Sequence, residues 1–138
     1  MRLLLLLAAD HANLTADGKL NLLGAFRFIN ASKFPARHPS MYLIVKLEAE
    51  LGEYGQTRTL NAKLIHPDGG QVMEVTGTIQ VPTPHGGIRP EINAIIELKD
   101  IVFPEPGPYQ FVILVDKDHK GDFTLHVNKV DMPNAASG

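Results

Sequence analysis

The chain has 138 residues, of which 44% are hydrophobic and 20% charged, with 13 Lys and Arg against 15 Asp and Glu. This length fits one domain, and the composition excludes an intrinsically disordered chain. The formal net charge of -2 excludes a strong attraction to nucleic acid or an acidic membrane, and the absence of Cys excludes disulfides, thiolate metal sites and a cysteine nucleophile. We therefore expect no nucleic-acid partner and no membrane partner.

An apolar run from Leu3 to Ala9 opens the chain, after Met1 and Arg2. Crossing a bilayer takes about 20 apolar residues, so this run is too short for a transmembrane helix. A continuous apolar run is typical of a strand that is buried on both faces. We therefore predict a buried strand, with a short export signal in residues 1–9 as the alternative.

Alternation of apolar and polar residues with period two is the main pattern in the rest of the chain. Short strands separated by turns that contain Gly and Pro are typical of all-β sandwiches and barrels. We predict a single antiparallel β-sandwich over residues 1–131, followed by a disordered tail of small and helix-breaking residues over 132–138. The eight strand candidates are Arg2–Ala9, Leu20–Ile29, Met41–Glu50, Thr57–His66, Gln71–Val81, Glu91–Leu98, Tyr109–Asp116 and Asp122–Val130.

Several strand candidates have one apolar and one polar face. In the third candidate, Leu43, Val45 and Leu47 share one face, while the charged residues point the other way. The segment Tyr109–Val115 differs because it is apolar on both faces. We predict that this strand is central in its sheet or that its outer face meets a partner.

Glycines mark the predicted hairpin turns. Gly18 follows Asp17 and Gly69 follows Asp68, and Asp-Gly readily supplies the positive φ that tight turns need. We therefore assign structural turn roles to Gly18 and Gly69, and we predict a further hairpin turn at Lys120-Gly121. Two irregular stretches, residues 30–40 and 81–90, are long enough to cross between two sheets.

A proline-rich corner precedes the tyrosine of the seventh strand candidate, in the segment Phe103-Pro104-Glu105-Pro106-Gly107-Pro108-Tyr109. A tyrosine at this place is typical of the tyrosine corner, in which the hydroxyl binds backbone a few residues upstream. We therefore assign structural roles to Tyr109 and Gly107 and predict an immunoglobulin-like or fibronectin-like sandwich. Other sandwiches, such as C2-like or jelly-roll folds, are the alternatives.

Two segments together resemble a known family. They are ADHAN at residues 9–13 followed by DGKLNLLG at 17–24, and FPEPGPY at 103–109. Phe34-Pro35, with His38-Pro39 shortly after, fits the same pattern. The chain resembles a family of short prokaryotic β-sandwich proteins catalogued as a domain of unknown function, over nearly its whole length. The resemblance implies no catalytic residue, substrate or cofactor, and it favours a single cytoplasmic domain over an exported one.

Two acidic segments are candidates for a metal site. Asp10 and Asp17 bracket a polar segment that we predict to be a loop, and Asp116 and Asp118 stand in another predicted turn. Calcium favours several oxygen ligands from one or two loops, and the two segments would combine if they met at one end of the sandwich. Turn chemistry, in which Asp side chains bind nearby backbone, is the favoured interpretation of all four residues.

Catalytic patterns are not found in the sequence. The Gly-x-Ser-x-Gly motif is absent, and no third group is identifiable beside Ser40 and His38. The histidines show no metal-ligand spacing, and we expect all six at the surface. They are His11, His38, His66, His85, His119 and His126. We therefore expect neither an enzyme nor a cofactor.

A modest basic patch is a further candidate site. Its cations would be Arg27, Lys33, Arg37 and Lys46, with the aromatic side chains Phe26, Phe28, Phe34 and Tyr42 nearby. Base stacking uses such a mixture, but aromatic residues at alternate strand positions are typical of a core. We therefore favour core positions for these aromatic residues over a nucleic-acid site.

The sequence thus favours a non-catalytic protein-interaction or scaffolding module that binds a protein partner or a second copy of itself. Unpaired sheet edges would provide the route to such binding. The alternative function is a small-ligand or calcium-binding domain that uses the Asp10–Asp17 loop.

Overall fold

Two β-sheets face each other in the computed structural model, which describes residues 1–84 and 86–131. Within these residues the chain forms nine strands and a short 3-10 helix at Leu51–Glu53. The strands are β1 (Arg2–Leu14), β2 (Leu20–Phe26), β3 (Phe28–Ala31), β4 (Ala36–Glu48), β5 (Thr57–Ile65), β6 (Gln71–Gln80), β7 (Glu91–Phe103), β8 (Gly107–Val115) and β9 (Asp118–Lys129). His85 and the predicted tail at 132–138 lie outside the described residues.

The strand order is β2-β1-β4-β7 in the four-stranded sheet and β3-β9-β8-β5-β6 in the five-stranded sheet. The four-stranded sheet is antiparallel, whereas the five-stranded sheet is mixed because β3 pairs with β9 in parallel. The all-β, two-sheet prediction is confirmed, with nine strands instead of about eight. The prediction of a wholly antiparallel sandwich is wrong for the five-stranded sheet, because β3 joins it in parallel after the crossover from the other sheet. No helix among the described residues is long and apolar enough to span a bilayer.

The core lies between the two sheets and follows the predicted faces. Leu43, Val45 and Leu47 of β4 are completely buried, as are Leu125 and Tyr109 from the opposite sheet. Fully burying an aliphatic side chain of this size contributes about 1.5–3 kcal/mol, so these alternating positions hold the sheets together. The apolar opening run forms most of β1, which confirms the predicted strand. The strand is less buried than predicted, because Leu3–Leu7 are half-buried and only Ala8 and Ala9 of the run are completely buried.

The two-sided apolar segment Tyr109–Val115 lies within β8, which pairs with β5 on one side and β9 on the other. Its central position explains the pattern, so the first of the two interpretations is confirmed. Val112 and Leu114 on its outer face are half-buried.

The prediction of one strand over Leu20–Ile29 is wrong. The chain leaves the four-stranded sheet after Phe26, turns at Arg27, and joins the five-stranded sheet at Phe28. The alternation of apolar and polar residues looks the same on both sides of this crossover. A period of two shows which face of a sheet each side chain occupies, but it does not show which strand lies alongside. The irregular crossing predicted over residues 30–40 is correspondingly shorter, because β3 ends at Ala31 and β4 begins at Ala36.

The strand ends also differ from the predictions at two turns. β1 continues to Leu14, so Asp10 lies in a strand and not in a loop. The last hairpin turns at Asp116 and Lys117, which both have positive φ, and not at Lys120-Gly121. Gly121 lies inside β9, where a Cβ would overlap the Cδ2 atom of Leu3. Its role is close packing against β1.

Candidate functional site

The first predicted aspartate pair is divided between a strand and a turn. Asp10 is exposed in β1, where its carboxylate lies against Gly24 of β2. Asp17 lies in the β1–β2 turn and accepts a hydrogen bond from the Thr15 hydroxyl, which holds the pKa of Asp17 below its ordinary value. Gly18 beside it has a φ of 88°, consistent with the predicted turn role. The polar groups around Asp17 therefore close a turn.

The second pair lies at the last hairpin. Asp116 accepts hydrogen bonds from the Arg58 Nη1 atom at 2.7 Å and from the Thr59 backbone nitrogen at 3.0 Å. These two donors, Arg58 first, hold the pKa of Asp116 below its ordinary value. Arg58 also lies 3.6 Å from Glu53, so its charge already faces two carboxylates. Asp118 is the first residue of β9.

The structure does not bring the two aspartate pairs together. Leu3 packs against Gly121, and farther along both strands Leu6 and Leu7 share a groove with Phe123. β1 and β9 thus advance in the same direction, and the seven steps along the strand from Leu3 to Asp10 span roughly 23 Å. Asp116 precedes Gly121 and lies towards the opposite end of the sandwich. Within residues 1–84 and 86–131, no three His, Asp or Glu side chains form a group that could hold a metal ion.

Tyr109 forms the hydrogen bond that its sequence position predicts. Its buried hydroxyl donates to the Glu105 carbonyl oxygen at 2.7 Å, and its ring packs edge-on against Phe103 at 5.0 Å. Gly107 has a φ of 147°, and a Cβ atom added to it would lie 2.8 Å from the Pro67 Cγ atom. The corner between β7 and β8 therefore packs directly against the β5–β6 hairpin, where Gly69 has a φ of 95°.

His66 contradicts the prediction that the histidines lie at the surface, since only 11% of its side chain is exposed. Its Nε2 atom is 2.9 Å from a Glu105 carboxylate oxygen, and its Nδ1 atom is 2.9 Å from Asp68. Its ring also packs edge-on against Tyr109 at 5.3 Å. The Asp68 backbone nitrogen also donates a hydrogen bond to Nδ1 at 3.0 Å, so both ring nitrogens are engaged by residues of the two turns.

The basic patch is only partly present. Arg37 pairs with Asp100, and Lys46 lies 3.3 Å from Glu91, so two of its four cations face carboxylates. The prediction of a core position for Phe28 is wrong, because 60% of this residue is exposed.

An open groove of about 620 Å³ lies at the crossover between the two sheets, and we call it the crossover groove. Its lining residues are Leu6, Leu7, Ala25, Phe26, Arg27, Phe28 and Phe123. The Arg27 guanidinium carbon is 5.7 Å from the centre of the Phe123 ring. The groove therefore combines apolar walls with one cation.

A second apolar surface lies at β2, the last strand of the four-stranded sheet, with Leu14 and Leu22 on one face of the sheet and Leu23 on the other. Leu22 and Leu23 are 37% and 69% exposed, and Leu14 across the hairpin is also exposed. Sequence reasoning did not identify this surface. The available signal in the sequence was the pair Leu22 and Leu23, which breaks the alternation in a segment without charged residues.

A search of curated proteins finds no match to the chain. Among solved structures, the chain is similar to the Pseudomonas fluorescens alkylpurine DNA glycosylase AlkC bound to DNA containing an abasic site analog. The sequence identity is 12% and the TM-score 0.47, with 89% of this chain and 30% of that chain covered. The chain thus spans less than a third of that protein, and the likeness is too remote to bear on function.

A family model matches residues 4–128, which is most of the chain. The match agrees with the resemblance seen in the ADHAN, DGKLNLLG and FPEPGPY segments. The chain belongs to the family of unknown function DUF6941.

Proposed function

We propose that this protein is a non-catalytic interaction module that binds by strand addition at the free edge of β2, and that its partner there is a second copy of the chain. The observation that carries the proposal is the exposure of Leu23 on an uncharged edge strand. Backbone groups at such an edge are free to pair with another strand, and the exposed side chains add apolar contact.

A comparison of the four edge strands singles out β2. β3 has only four residues, while β6 carries Glu74 and β7 carries Glu91, Glu97, Lys99 and Asp100. Short length and charged side chains are the usual protection of an edge against pairing with another chain. β2 has seven residues, with neither a charge nor a proline. It lacks the two protections that the other edges have, and its regular extended part is Leu20–Leu23, since Gly24 has a φ of 71°.

The choice of a second copy follows from charge. In a symmetric antiparallel pair of two copies, each β2 residue lies opposite a β2 residue of the other copy, and like charges opposite each other are destabilising. β2 is uncharged from Leu20 to Phe26, so pairing with itself brings no like charges together. The product is a closed twofold dimer in which two four-stranded sheets form one continuous sheet.

The surroundings of His66 support a role without catalysis. A general base needs a ring nitrogen within hydrogen-bond reach of the substrate. His66 directs both nitrogens to carboxylates that belong to two packed turns. We therefore assign His66 to the stability of the fold.

The connectivity supports an immunoglobulin-like assignment as part of this proposal. If β2 and β3 are set aside, the sheet orders are β1-β4-β7 and β9-β8-β5-β6. An immunoglobulin-like sandwich without strand D has the corresponding orders A-B-E and G-F-C-C′. Tyr109 then stands near the start of the strand equivalent to F, which is the usual place of a tyrosine corner.

Sedimentation velocity over a wide range of protein concentration tests the proposed dimer. We expect the wild-type chain to dimerise as concentration rises, and Leu23→Lys to remain monomeric because it places a charge on the pairing edge. The matched control is Leu51→Lys, which changes an equally apolar residue with 79% exposure outside β2 and is expected to dimerise like the wild type. A wild-type monomer at every concentration, or equal dimerisation of Leu23→Lys, would overturn the proposal.

A further inference from the structure

The crossover groove has the size and the lining of a small-molecule site. Its volume of about 620 Å³ falls within the usual range of ligand pockets, roughly 300–1,000 Å³. Leu6 and Leu7 come from one sheet and Phe123 from the other, so the groove lies between elements that the core already holds in place.

The aromatic walls are fixed by neighbouring rings. Phe28 stacks on His126 with ring centres 5.6 Å apart, and Phe26 lies 6.0 Å from His38. The Arg27 carbonyl oxygen accepts a hydrogen bond from the His126 backbone nitrogen at 2.8 Å, which anchors the crossover itself. Phe28 itself is 60% exposed, so one face of its ring is open to a ligand.

Arg27 distinguishes this groove from a plain apolar surface. Among the described residues its side chain has no ion-pair partner, although Arg2, Arg37, Arg58 and Arg89 each lie near a carboxylate. Its guanidinium lies over the Phe123 ring. A stacked guanidinium keeps its N–H groups available at the edge, where they match the two oxygens of a carboxylate.

We propose that the crossover groove binds a small carboxylic acid with an apolar body, and that Arg27 holds the carboxylate while the phenylalanine rings hold the body. A monoanion fits best because the groove offers one guanidinium. Two carboxylates also lie near the lining and disfavour a second negative charge: Asp10 lies against Gly24, next to Ala25, and Asp122 precedes Phe123. This inference does not depend on strand pairing at β2, because Leu23 does not line the groove, although Ala25 and Phe26 of β2 belong to both surfaces.

Backbone amide NMR shifts during titration with phenylbutyrate test the proposal, with phenylbutanol as the neutral counterpart of the same shape. We expect shifts at Arg27, Phe28 and Phe123, and binding of the acid about threefold to fivefold tighter than binding of the alcohol, as for an exposed charge pair. Added salt is expected to weaken binding of the acid and to leave that of the alcohol unchanged.

Two variants assign the effect to the arginine. Arg27→Gln is expected to reduce the affinity for phenylbutyrate to that for phenylbutanol, whereas Lys33→Gln, which removes an exposed cation outside the groove lining, is expected to leave it unchanged. Binding of both probes with equal affinity, or shifts confined to residues outside the groove, would overturn the proposal. Lack of any shift with either probe would overturn it as well. Titrating the Leu23→Lys variant with the same two probes shows whether acid binding persists when the proposed dimer is disrupted, so failure of one proposal can be told from failure of the other.

Discussion

The hydroxyl of Tyr109 donates a hydrogen bond to the carbonyl oxygen of Glu105, 2.7 Å away, and so closes the corner between β7 and β8. The Glu105 side chain contacts His66, and the Tyr109 ring packs against the same histidine. These two contacts of His66 join the corner to the β5–β6 hairpin. Burial raises the pKa of the Tyr109 hydroxyl, as expected for a group that stays protonated in this position.

Removing this hydroxyl is expected to destabilise the fold. In Tyr109→Phe the half-buried hydrogen bond to the Glu105 carbonyl oxygen is lost, which typically costs about 0.5–1.5 kcal/mol. Urea denaturation measures the change in the free energy of unfolding. Tyr42→Phe serves as the control because its hydroxyl bonds to the exposed Glu97 carboxylate, so we expect a smaller loss. Equal losses in the two variants would contradict the role of the corner.

Gly107 combines a positive φ with close packing. Gly107→Ala is expected to lose about 1–3 kcal/mol from backbone strain, with a further loss because the new Cβ meets Pro67. Urea denaturation provides the measurement here too. In Gly52→Ala the added Cβ meets nothing within 4 Å, and we expect little change. A loss in Gly107→Ala no larger than in this control would show that the close approach is unimportant.

The β8–β9 turn offers a stabilising change. Lys117 has a φ of 71° and follows Asp116, whose φ is 48°, as in a two-residue turn of type I′ that favours glycine at its second position. Lys117→Gly is expected to raise the free energy of unfolding by about 0.5 kcal/mol. The strain that glycine relieves in the folded state is larger than the entropy that glycine adds to the unfolded chain. Thermal unfolding checks this, with Lys120→Gly inside β9 expected to be destabilising. A lower melting temperature for Lys117→Gly would contradict the turn type.

Asp116 makes stability depend on pH. Its folded-state pKa is lowered by Arg58 and Thr59, so its contribution is present above the unfolded pKa of about 3.9 and is lost as pH falls through the lower folded value. We expect the stability difference between wild type and Asp116→Asn to shrink as pH decreases below about 4. Urea titrations across this range measure the difference. A difference that stays constant with pH would show that ionised Asp116 is not the stabilising form.

Calcium is expected to leave the melting temperature unchanged. A cation that binds only the folded state raises the melting temperature by mass action. Asp10 and Asp17 are separated from Asp116 and Asp118 along the sandwich, and calcium at Asp116 would have to displace Arg58. Differential scanning calorimetry with calcium and with a chelator gives the comparison. A calcium-dependent rise that Asp17→Ala abolishes would restore the metal hypothesis.

Local sequence signals predicted several parts of the structure. The alternation in β4 assigned Leu43, Val45 and Leu47 to the core, because side chains in a strand alternate between its faces. The Pro-Gly corner predicted the hydrogen bond of Tyr109, and the Asp-Gly pairs predicted the turns at Gly18 and Gly69. These features depend on residues close together in the chain, so their chemistry is visible in the sequence.

The candidate sites depended on residues that are distant in the chain. The crossover groove unites β1, the β2–β3 crossover and β9, and the ion pair of Asp116 joins it to Arg58. Among residues 1–84 and 86–131, Arg27 is the arginine that lies near no carboxylate, and this contrast depends on tertiary partners of the other four.

The sequence by itself determined the two-sheet β architecture, the core face of each clearly alternating strand and the tyrosine corner, because these follow from side-chain period and local turn chemistry. Only the tertiary structure decided that the chain changes sheets at Arg27, that β2 is left as an uncharged edge, and that Phe28 faces an open groove. The physical reason is that backbone hydrogen bonds between strands are the same for every sequence. Which strands become neighbours is therefore decided by the packing of the whole core.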